Sequence, residues 1–411
     1  MSKSTTWIKK RHNVYYKIIK TLVLNLLIGK YHCDIEKFDD IKNRPYLILY
    51  NHQTPMDQFI LTKAFSSPVY FVATEDIFSL GWKSRAIEHI AAPIPIKKNG
   101  NDLRAVKTCL RVAKEGGSIA IAPEGNRTYS GTTEYMKPSI VKLIQTLKLP
   151  VLFIILEGGY NKQSRWSDEL NEGTMKLRIG KVLEYDEYRY LSDDELYKLV
   201  EDNLYQDDRG FNNAEAKSVE GLERLLYICP KCGFTEFESK KYDFECKNCG
   251  LRVTYHKDRT FTYPNGDDFE FKTVKEWFDY QNKFINSKNL EDLHNELHSG
   301  NLYADNVVLY EVVPYKNKKI INKKSEISIN DHSLRIYTTS IFSADSKYED
   351  YEFTDIENLA VCGKNKLEIY VDKDKIYQVV GRRNFNAVKY MNIFHRVVNL
   401  KKGDNDEFLG L

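Results

Sequence analysis

No stretch of this 411-residue chain approaches roughly 18 consecutive apolar residues, so nothing in it reads as a membrane-spanning helix. Charge of one sign is also lacking. With 61 Lys and Arg against 58 Asp and Glu, the formal charge is +3, which does not point to nucleic acid. Any electrostatic role must then come from local clustering. A signal peptide with a cleavage site is not recognisable. Cysteine is scarce at seven residues, and it is not laid out as a disulfide set. Four cysteines cluster, while Cys33, Cys109 and Cys362 are scattered, a pattern that fits a reducing, cytosolic compartment. Cys109 falls in a helical pattern with Val106, Leu110 and Val112 and reads as core, not as a nucleophile. The length allows two or three domains.

What is present begins at residues 46–57. The apolar run Tyr46–Tyr50 reads as a buried strand that ends at Asn51-His52. Thr54-Pro55 then opens a helix, with Pro at its first position and Asp57 in its first turn. In one continuous helix, His52 and Asp57 would lie about 140° apart. A strand–loop–helix break lets them meet. A carboxylate on Nδ1 fixes the imidazole tautomer and supports the imidazolium formed when Nε2 takes a proton. The plainer alternative is that Thr54 and Asp57 form a capping box and His52 is an ordinary loop residue.

A second apolar strand, Ser118–Ala122, runs into Pro123-Glu124-Gly125-Asn126-Arg127. Taken together, Asn51, His52 and Asp57 with Pro123, Glu124, Gly125 and Arg127 resemble the first and third motifs of the glycerolipid acyltransferase family, typified by lysophosphatidic acid acyltransferases. The resemblance covers roughly residues 40–185. It implies transfer of a fatty acyl chain from acyl-CoA or acyl carrier protein to a glycerol hydroxyl of a lysophospholipid. It also implies His52 as general base, with Asp57 orienting it. The thioester is already activated, so no covalent enzyme intermediate is needed. The resemblance further implies an acceptor phosphate near Glu124, Gly125, Arg127, Lys98 and Lys137. Glu124 is expected either to orient Arg127 or to accept a hydrogen bond from the glycerol hydroxyl. Backbone N–H groups where the helix opens after Pro55 are candidates for the thioester oxyanion. Lys98 stands where the family's second motif has Arg, and Asn126 where its third usually has Thr, which leaves the acceptor open.

The surrounding pattern alternates strand and helix from 40 to 160, which predicts an α/β domain with a mixed or largely parallel sheet flanked by helices. Strands are expected at 46–50, 68–73, 93–96, 118–122, 150–156 and 174–184, and an acidic helix at 192–206. Residues 1–31 carry seven Lys or Arg and no acid, interleaved with apolar residues at helical spacing. This predicts an amphipathic helix lying in an anionic membrane surface. The alternative is a helix docked on its own domain. The expected layout is therefore a membrane-interface helix at 1–31, an acyltransferase domain at 32–208 and a linker at 209–226. The expected location is peripheral, on the cytoplasmic face of the membrane.

Downstream, Cys229-x-x-Cys232-Gly and Cys246-x-x-Cys249-Gly form two knuckles with 13 residues between them. The spacing predicts a small zinc ribbon over 227–255, with four thiolates holding one structural Zn²⁺ and almost no core of its own. A connecting segment with a helix should follow at 256–300. Short alternating segments and a final helix predict a β-rich domain over 301–400, resembling a pleckstrin-homology-like barrel. Two functional classes follow: an acyltransferase, or an idle acyltransferase fold whose ribbon and β-rich domain recruit partners to a membrane. Among enzymes, glycerol 3-phosphate or another lysophospholipid is the alternative acceptor. No basic excess in 227–260 supports a nucleic-acid partner.

Overall fold

The structure is a computed structural model. It describes residues 6–97, 102–211, 214–298, 304–313, 316–339, 346–371, 375–403 and 407–410. It divides into two compact units: Met1–Arg165 with Leu170–Glu215, and Trp166–Glu169 with Ala216–Leu411. The boundary thus falls inside the stretch expected as a linker. The second half of that stretch is not solvated, because Val219, Leu222 and Leu225 are fully buried.

Unit 1 is built on seven strands: β1 (Cys33–Ile35), β2 (Leu47–Tyr50), β3 (Val69–Thr74), β4 (Ile94–Ile96), β5 (Ser118–Ile121), β6 (Val151–Glu157) and β7 (Met175–Leu183). They lie in the order β1-β7-β6-β2-β5-β3-β4. The sheet is mixed: β2 runs parallel to both β5 and β6, while β6 and β7 are antiparallel. All four residues of β2 are buried, as the central strand of a sheet covered on both faces requires. Because β2, β5 and β6 run in parallel, the loops leaving them emerge at one end of the sheet, the usual place for a site.

The helices of this unit are α1 (Lys10–Ile18), α2 (Leu24–Ile28), α3 (Asp57–Ala64), α4 (Trp82–Ala91), α5 (Leu103–Lys114), α6 (Ser139–Leu147), α7 (Gly159–Lys162), α8 (Tyr185–Tyr188) and α9 (Asp193–Leu204). Local chemistry starts several of them. The Asp102 carboxylate accepts from the N–H groups of Arg104 and Ala105 at the head of α5, and Ser192 with Glu195 forms a capping box on α9. Cys109 is buried on the core side of α5.

The amino-terminal segment is partly docked on its own domain. Trp7 and Ile8 pack against the core, the Trp7 indole donates to Ala92 O at 3.1 Å, and Leu24 and Ile28 are buried. The other face is bare. Val14, Ile18, Leu22 and Leu26, four residues apart, are 56%, 47%, 71% and 84% exposed. A single turn of π-helix, Ile19–Val23, joins α1 to α2.

Unit 2 opens with the hairpin β8 (Ile228–Cys229) and β9 (Gly233–Phe234). An antiparallel sheet follows: β10 (Phe237–Lys240), β11 (Asp243–Cys246), β12 (Arg252–Tyr255) and β13 (Phe261–Thr262). Contrary to the expectation of almost no core, this part has one. The Trp277 ring, on α10 (Val274–Ser287), lies 5.4–5.7 Å from those of Phe237, Phe244 and Phe261. Its indole donates to Ile228 O at 2.9 Å. Phe234 and Phe244 are therefore interior side chains.

After α11 (Leu290–His298) comes a second seven-stranded sheet, all antiparallel. Its strands are β14 (Ala304–Val312), β15 (Lys319–Ile329), β16 (Ser333–Thr339), β17 (Ser346–Glu352), β18 (Ile356–Cys362), β19 (Lys366–Val371) and β20 (Lys375–Gly381). The order is β17-β16-β15-β14-β20-β19-β18. Most of α12 (Ala387–Lys402) is buried, including Tyr390, Met391, Phe394 and Val397. Strands β17 and β18 escape the sequence pattern. The first is an edge strand, in which Glu349, Asp350 and Glu352 blunt an edge against further pairing and hide any alternation.

Candidate active site and cysteine centre

The loop after β2 is shaped by one carboxylate. Asp57, fully buried, accepts from the Gln53 N–H at 2.7 Å, the Thr54 N–H at 3.0 Å and the Thr54 hydroxyl at 2.6 Å. This holds residues 53–56 in a turn, so α3 starts at Asp57 itself and Pro55 lies before it, not at the first helical position. The same carboxylate meets His52 Nδ1 at 2.7 Å. Capping and histidine pairing are therefore not alternatives, since one side chain does both. The imidazole is 23% exposed over a carboxylate that is 0% exposed. With Nδ1 turned to Asp57, Nε2 is left as the proton acceptor.

Four of the backbone N–H groups where this helix opens are already engaged. The Met56 N–H donates to the Thr54 hydroxyl, that of Asp57 to Thr54 O, and those of Phe59 and Ile60 to Met56 O.

Glu124 sits off the end of β5, and its role differs from both expected ones. One oxygen accepts the His52 N–H at 2.7 Å and the other the Glu134 N–H at 2.8 Å. Both carboxylate oxygens are thus taken by main-chain donors, and neither pairs with Arg127. Burial pushes this carboxyl well above the usual carboxylate range. The Thr128 N–H returns a bond to His52 O at 2.9 Å, so the two motif loops are laced together. Gly125 turns the chain between them with φ of +67°, in the left-handed region that favours glycine.

Arg127 lies in the same loop. Its Nη1 is buried with no hydrogen-bond partner, and its guanidinium makes no ion pair among the described residues. Burial, and then the charge of Arg165, push it down to about 10. Arg165 was not legible as a site residue. It is 3% exposed, stacks its guanidinium 4.0 Å from the Tyr129 ring centre and donates to Arg127 O at 3.1 Å. Lys137 is exposed in the turn ahead of α6. Lys98 lies outside the described residues.

Three further groups fasten the site; Asn51 belongs to the first motif, while Gln53 and Asp208 gave no sequence signal beyond being polar. The Asn51 amide pairs with the main chain of β6, donating to Leu156 O at 2.8 Å and accepting from its N–H at 2.7 Å. Gln53 accepts the Gly159 N–H at 2.7 Å. Asp208, fully buried, accepts the N–H groups of Gly158 and Tyr160 at 2.9 and 3.1 Å.

In unit 2 the sulfurs of Cys229, Cys232, Cys246 and Cys249 all lie within 4.8 Å of one another. Cys229 and Cys249 approach to 3.7 Å, and Cys232 and Cys246 to 3.5 Å. Tetrahedral zinc with bonds of about 2.3 Å spaces its sulfurs by about 3.8 Å, so this donor set fits the ion. Gly233 and Gly250, which follow the second cysteine of each pair, have φ of +77° and +71°.

Comparison with known proteins bears on unit 1. The chain is 25% identical over 138 residues to the 1-acyl-sn-glycerol-3-phosphate acyltransferase of Bacillus subtilis, covering 34% of this chain and 66% of that protein. It is 27% identical over 128 residues to the Mycoplasma genitalium protein named "Probable 1-acyl-sn-glycerol-3-phosphate acyltransferase", covering 30% of this chain and 47% of that one. The chain thus spans less than two thirds of the length of these relatives. A solved structure, the 1-acyl-sn-glycerophosphate (LPA) acyltransferase PlsC from Thermotoga maritima, is 18% identical with a TM-score of 0.35, over 46% of this chain and 90% of that chain. Residues 32–157, which contain both the His52–Asp57 and the Glu124–Arg127 loops, match the Acyltransferase family.

Proposed function

We propose that unit 1 transfers a fatty acyl group from an acyl thioester, carried by CoA or acyl carrier protein, to a glycerol hydroxyl of lysophosphatidic acid. The observation that carries this is the partly exposed His52 imidazole held on a fully buried Asp57. His52 Nε2 takes the hydroxyl proton as the oxygen attacks the thioester carbonyl. Asp57 steadies the imidazolium. The adduct collapses, the C–S bond breaks, and the thiolate takes the proton back from His52. A positioned base of this kind supplies roughly 10²–10⁴-fold. Arg127, half-buried with an unpaired Nη1, binds the acceptor's phosphate through its planar fork. The same charge serves glycerol 3-phosphate or another lysophospholipid, and Lys98 in place of Arg keeps those acceptors in view. The relatives' names support lysophosphatidic acid as the first to try.

The bare stripe Val14, Ile18, Leu22 and Leu26 supports peripheral binding to the cytoplasmic face of a membrane, where both substrates reside. The four converging thiols support one structural Zn²⁺, held by Cys229, Cys232, Cys246 and Cys249. The seven-stranded order closed by α12 supports a pleckstrin-homology-like reading of the carboxy-terminal sheet.

The test is acyl transfer from acyl-CoA and from acyl carrier protein to lysophosphatidic acid, glycerol 3-phosphate and a panel of lysophospholipids, with His52→Ala as control. Product that depends on His52 is expected. Absence of product with every pair, or full activity of the variant, defeats the proposal.

A further inference from the structure

One hydroxyl beside His52 has no structural use. Tyr50 closes β2, where it pairs with Ile154 of β6. His52 follows two positions on, and side chains two apart along an extended chain share a face. The two rings meet edge to face, with centres 6.1 Å apart. The Phe71 ring packs on Tyr50 at 6.5 Å, again nearly perpendicular. The phenol is thus held in place, and Tyr50 is 5% exposed.

A tyrosine this deep ordinarily gives its hydroxyl a partner, because a hydroxyl taken out of water without one is costly. Other buried tyrosines of unit 1 follow that rule. Tyr31 donates to the Gln163 side chain at 2.6 Å, Tyr188 donates to Leu149 O at 2.8 Å, Tyr46 donates to Asp40, and Tyr70 lies 3.2 Å from His12 Nδ1. The Tyr50 hydroxyl makes no hydrogen bond among the described residues. Nor is its oxygen one of the sealed polar atoms of the core, so the little surface that Tyr50 keeps includes it. Burial, and then the charges of Asp57 and Glu124, push this phenol up from its ordinary range. It therefore stays an O–H near neutral pH, a fixed and unpaired donor next to the base.

The group that lacks a donor here is the thioester carbonyl. As the acceptor oxygen attacks, the carbonyl electrons move onto its oxygen, and that charge needs a donor already in position. The N–H groups of Met56, Asp57, Phe59 and Ile60 are held inside the turn. We propose that Tyr50 is a catalytic residue of the acyl transfer: its hydroxyl donates to the thioester carbonyl oxygen while His52 takes the acceptor's proton. The Tyr50 proton stays on its own oxygen throughout. The electron pair returns to remake the carbonyl as the C–S bond breaks. The inference rests on the acyl-transfer reading and adds a group which that reading does not contain.

The test is Tyr50→Phe, which removes one oxygen and keeps both ring contacts. Two rates are measured: transfer from acyl-CoA to lysophosphatidic acid, and hydrolysis of acyl-CoA by water with no acceptor present. Both pass through the same oxyanion, and His52→Ala checks that the hydrolysis belongs to this site. Each rate is expected to fall by about 10²-fold, the scale of one lost oxyanion donor. The acceptor KM should stay unchanged, the pattern of an interaction made only in the transition state. The melting temperature should not fall, because no bond within the fold is lost. Full rates in Tyr50→Phe overturn the proposal and leave the acyl-transfer reading standing. A raised acceptor KM with full hydrolysis assigns the hydroxyl to the acceptor, and a lowered melting temperature assigns it to the fold; either overturns the proposal. If hydrolysis depends on His52 and Tyr50 but no acceptor is acylated, Tyr50 stands and the acceptor reading fails. A wild type that does neither reaction overturns both.

Discussion

In unit 2, four identical donors converge within 4.8 Å. In unit 1, an imidazole, two carboxylates and two guanidiniums meet around the ends of β2 and β5, each with different partners. The cysteine centre offers its donors symmetrically, and a tetrahedral ion would consume all of them. The His52 centre is satisfied unevenly. Asp57 and Glu124 are engaged by N–H, hydroxyl and imidazole donors, while Arg127 Nη1 is left without a partner. Saturation at every donor suits a group that holds the fold, and a selective opening suits one that meets a substrate. The contrast separates stability from turnover in a way single substitutions can break.

The largest effect should come from Cys229→Ser. Structural zinc contributes about 10–16 kcal/mol in small peptides. Elemental analysis should find about one zinc per wild-type chain and none in the variant, with unit 2 melting earlier. Because Trp277 gives this region an aromatic core, partial structure should survive. Zinc retained at full stoichiometry in the variant removes the assignment.

Next comes His52→Ala. A loss of about 10²–10⁴ in kcat is expected, with the melting temperature unchanged, because the imidazole is a partly exposed terminus of the network. A large drop in stability would place His52 on the structural side of the comparison.

Arg127→Ala should raise the acceptor KM by about 10- to 100-fold, the scale of one hydrogen-bonded charge. Arg165→Ala should raise it less, since Arg165 acts by holding Arg127 O. Arg127→Lys keeps the charge without the fork and should recover only part of the loss. Equal KM values across this series would take the phosphate away from Arg127.

Glu124→Gln sharpens the contrast further. Two N–H groups face its two oxygens, and an amide offers only one acceptor. A destabilisation of about 1–3 kcal/mol is expected, with kcat falling because His52 is carried on one of those bonds. Denaturant unfolding and kcat measured on one preparation check both.

The smallest effect concerns Asp168 in unit 2. Its carboxylate is bonded first by Arg224 and then by Lys364, which hold it well below the usual carboxylate range. A depressed acid stabilises the fold above its unfolded pKa, and that contribution is lost as pH falls through the ordinary carboxylate range toward the folded value. The side chain is 45% exposed, so solvent screens it and the effect should be on the order of 1 kcal/mol or less. Asp168→Asn should flatten the acid limb of unit 2's stability profile. An unchanged limb would assign that limb to other carboxylates.

Legibility in the sequence follows the range of the interaction. Strands β2 and β5 are visible because buried central strands are continuously apolar, and α5 and α9 because Asp102 and Ser192 cap them locally. The His52–Asp57 pair spans five residues and is readable as a motif. Arg165 reaches across 38 positions to Arg127, and Gln53 across 106 to Gly159. Such bonds leave no local pattern, because any polar residue at either place looks like surface. Glu124 shows the other limit. Its motif is visible, but a side chain that binds only main chain has no partner residue type to betray its role.

That last property concentrates mutational burden. The Glu124 clamp spans 72 positions to His52 and 10 to Glu134, yet it uses only backbone donors there. Every amino acid except proline supplies that donor, so position 134 can drift freely as far as the clamp is concerned. Position 124 cannot: only a side chain with two acceptors at that reach serves both loops. Among diverging descendants of this chain, the clamp should persist as one invariant glutamate, with proline excluded ten positions on.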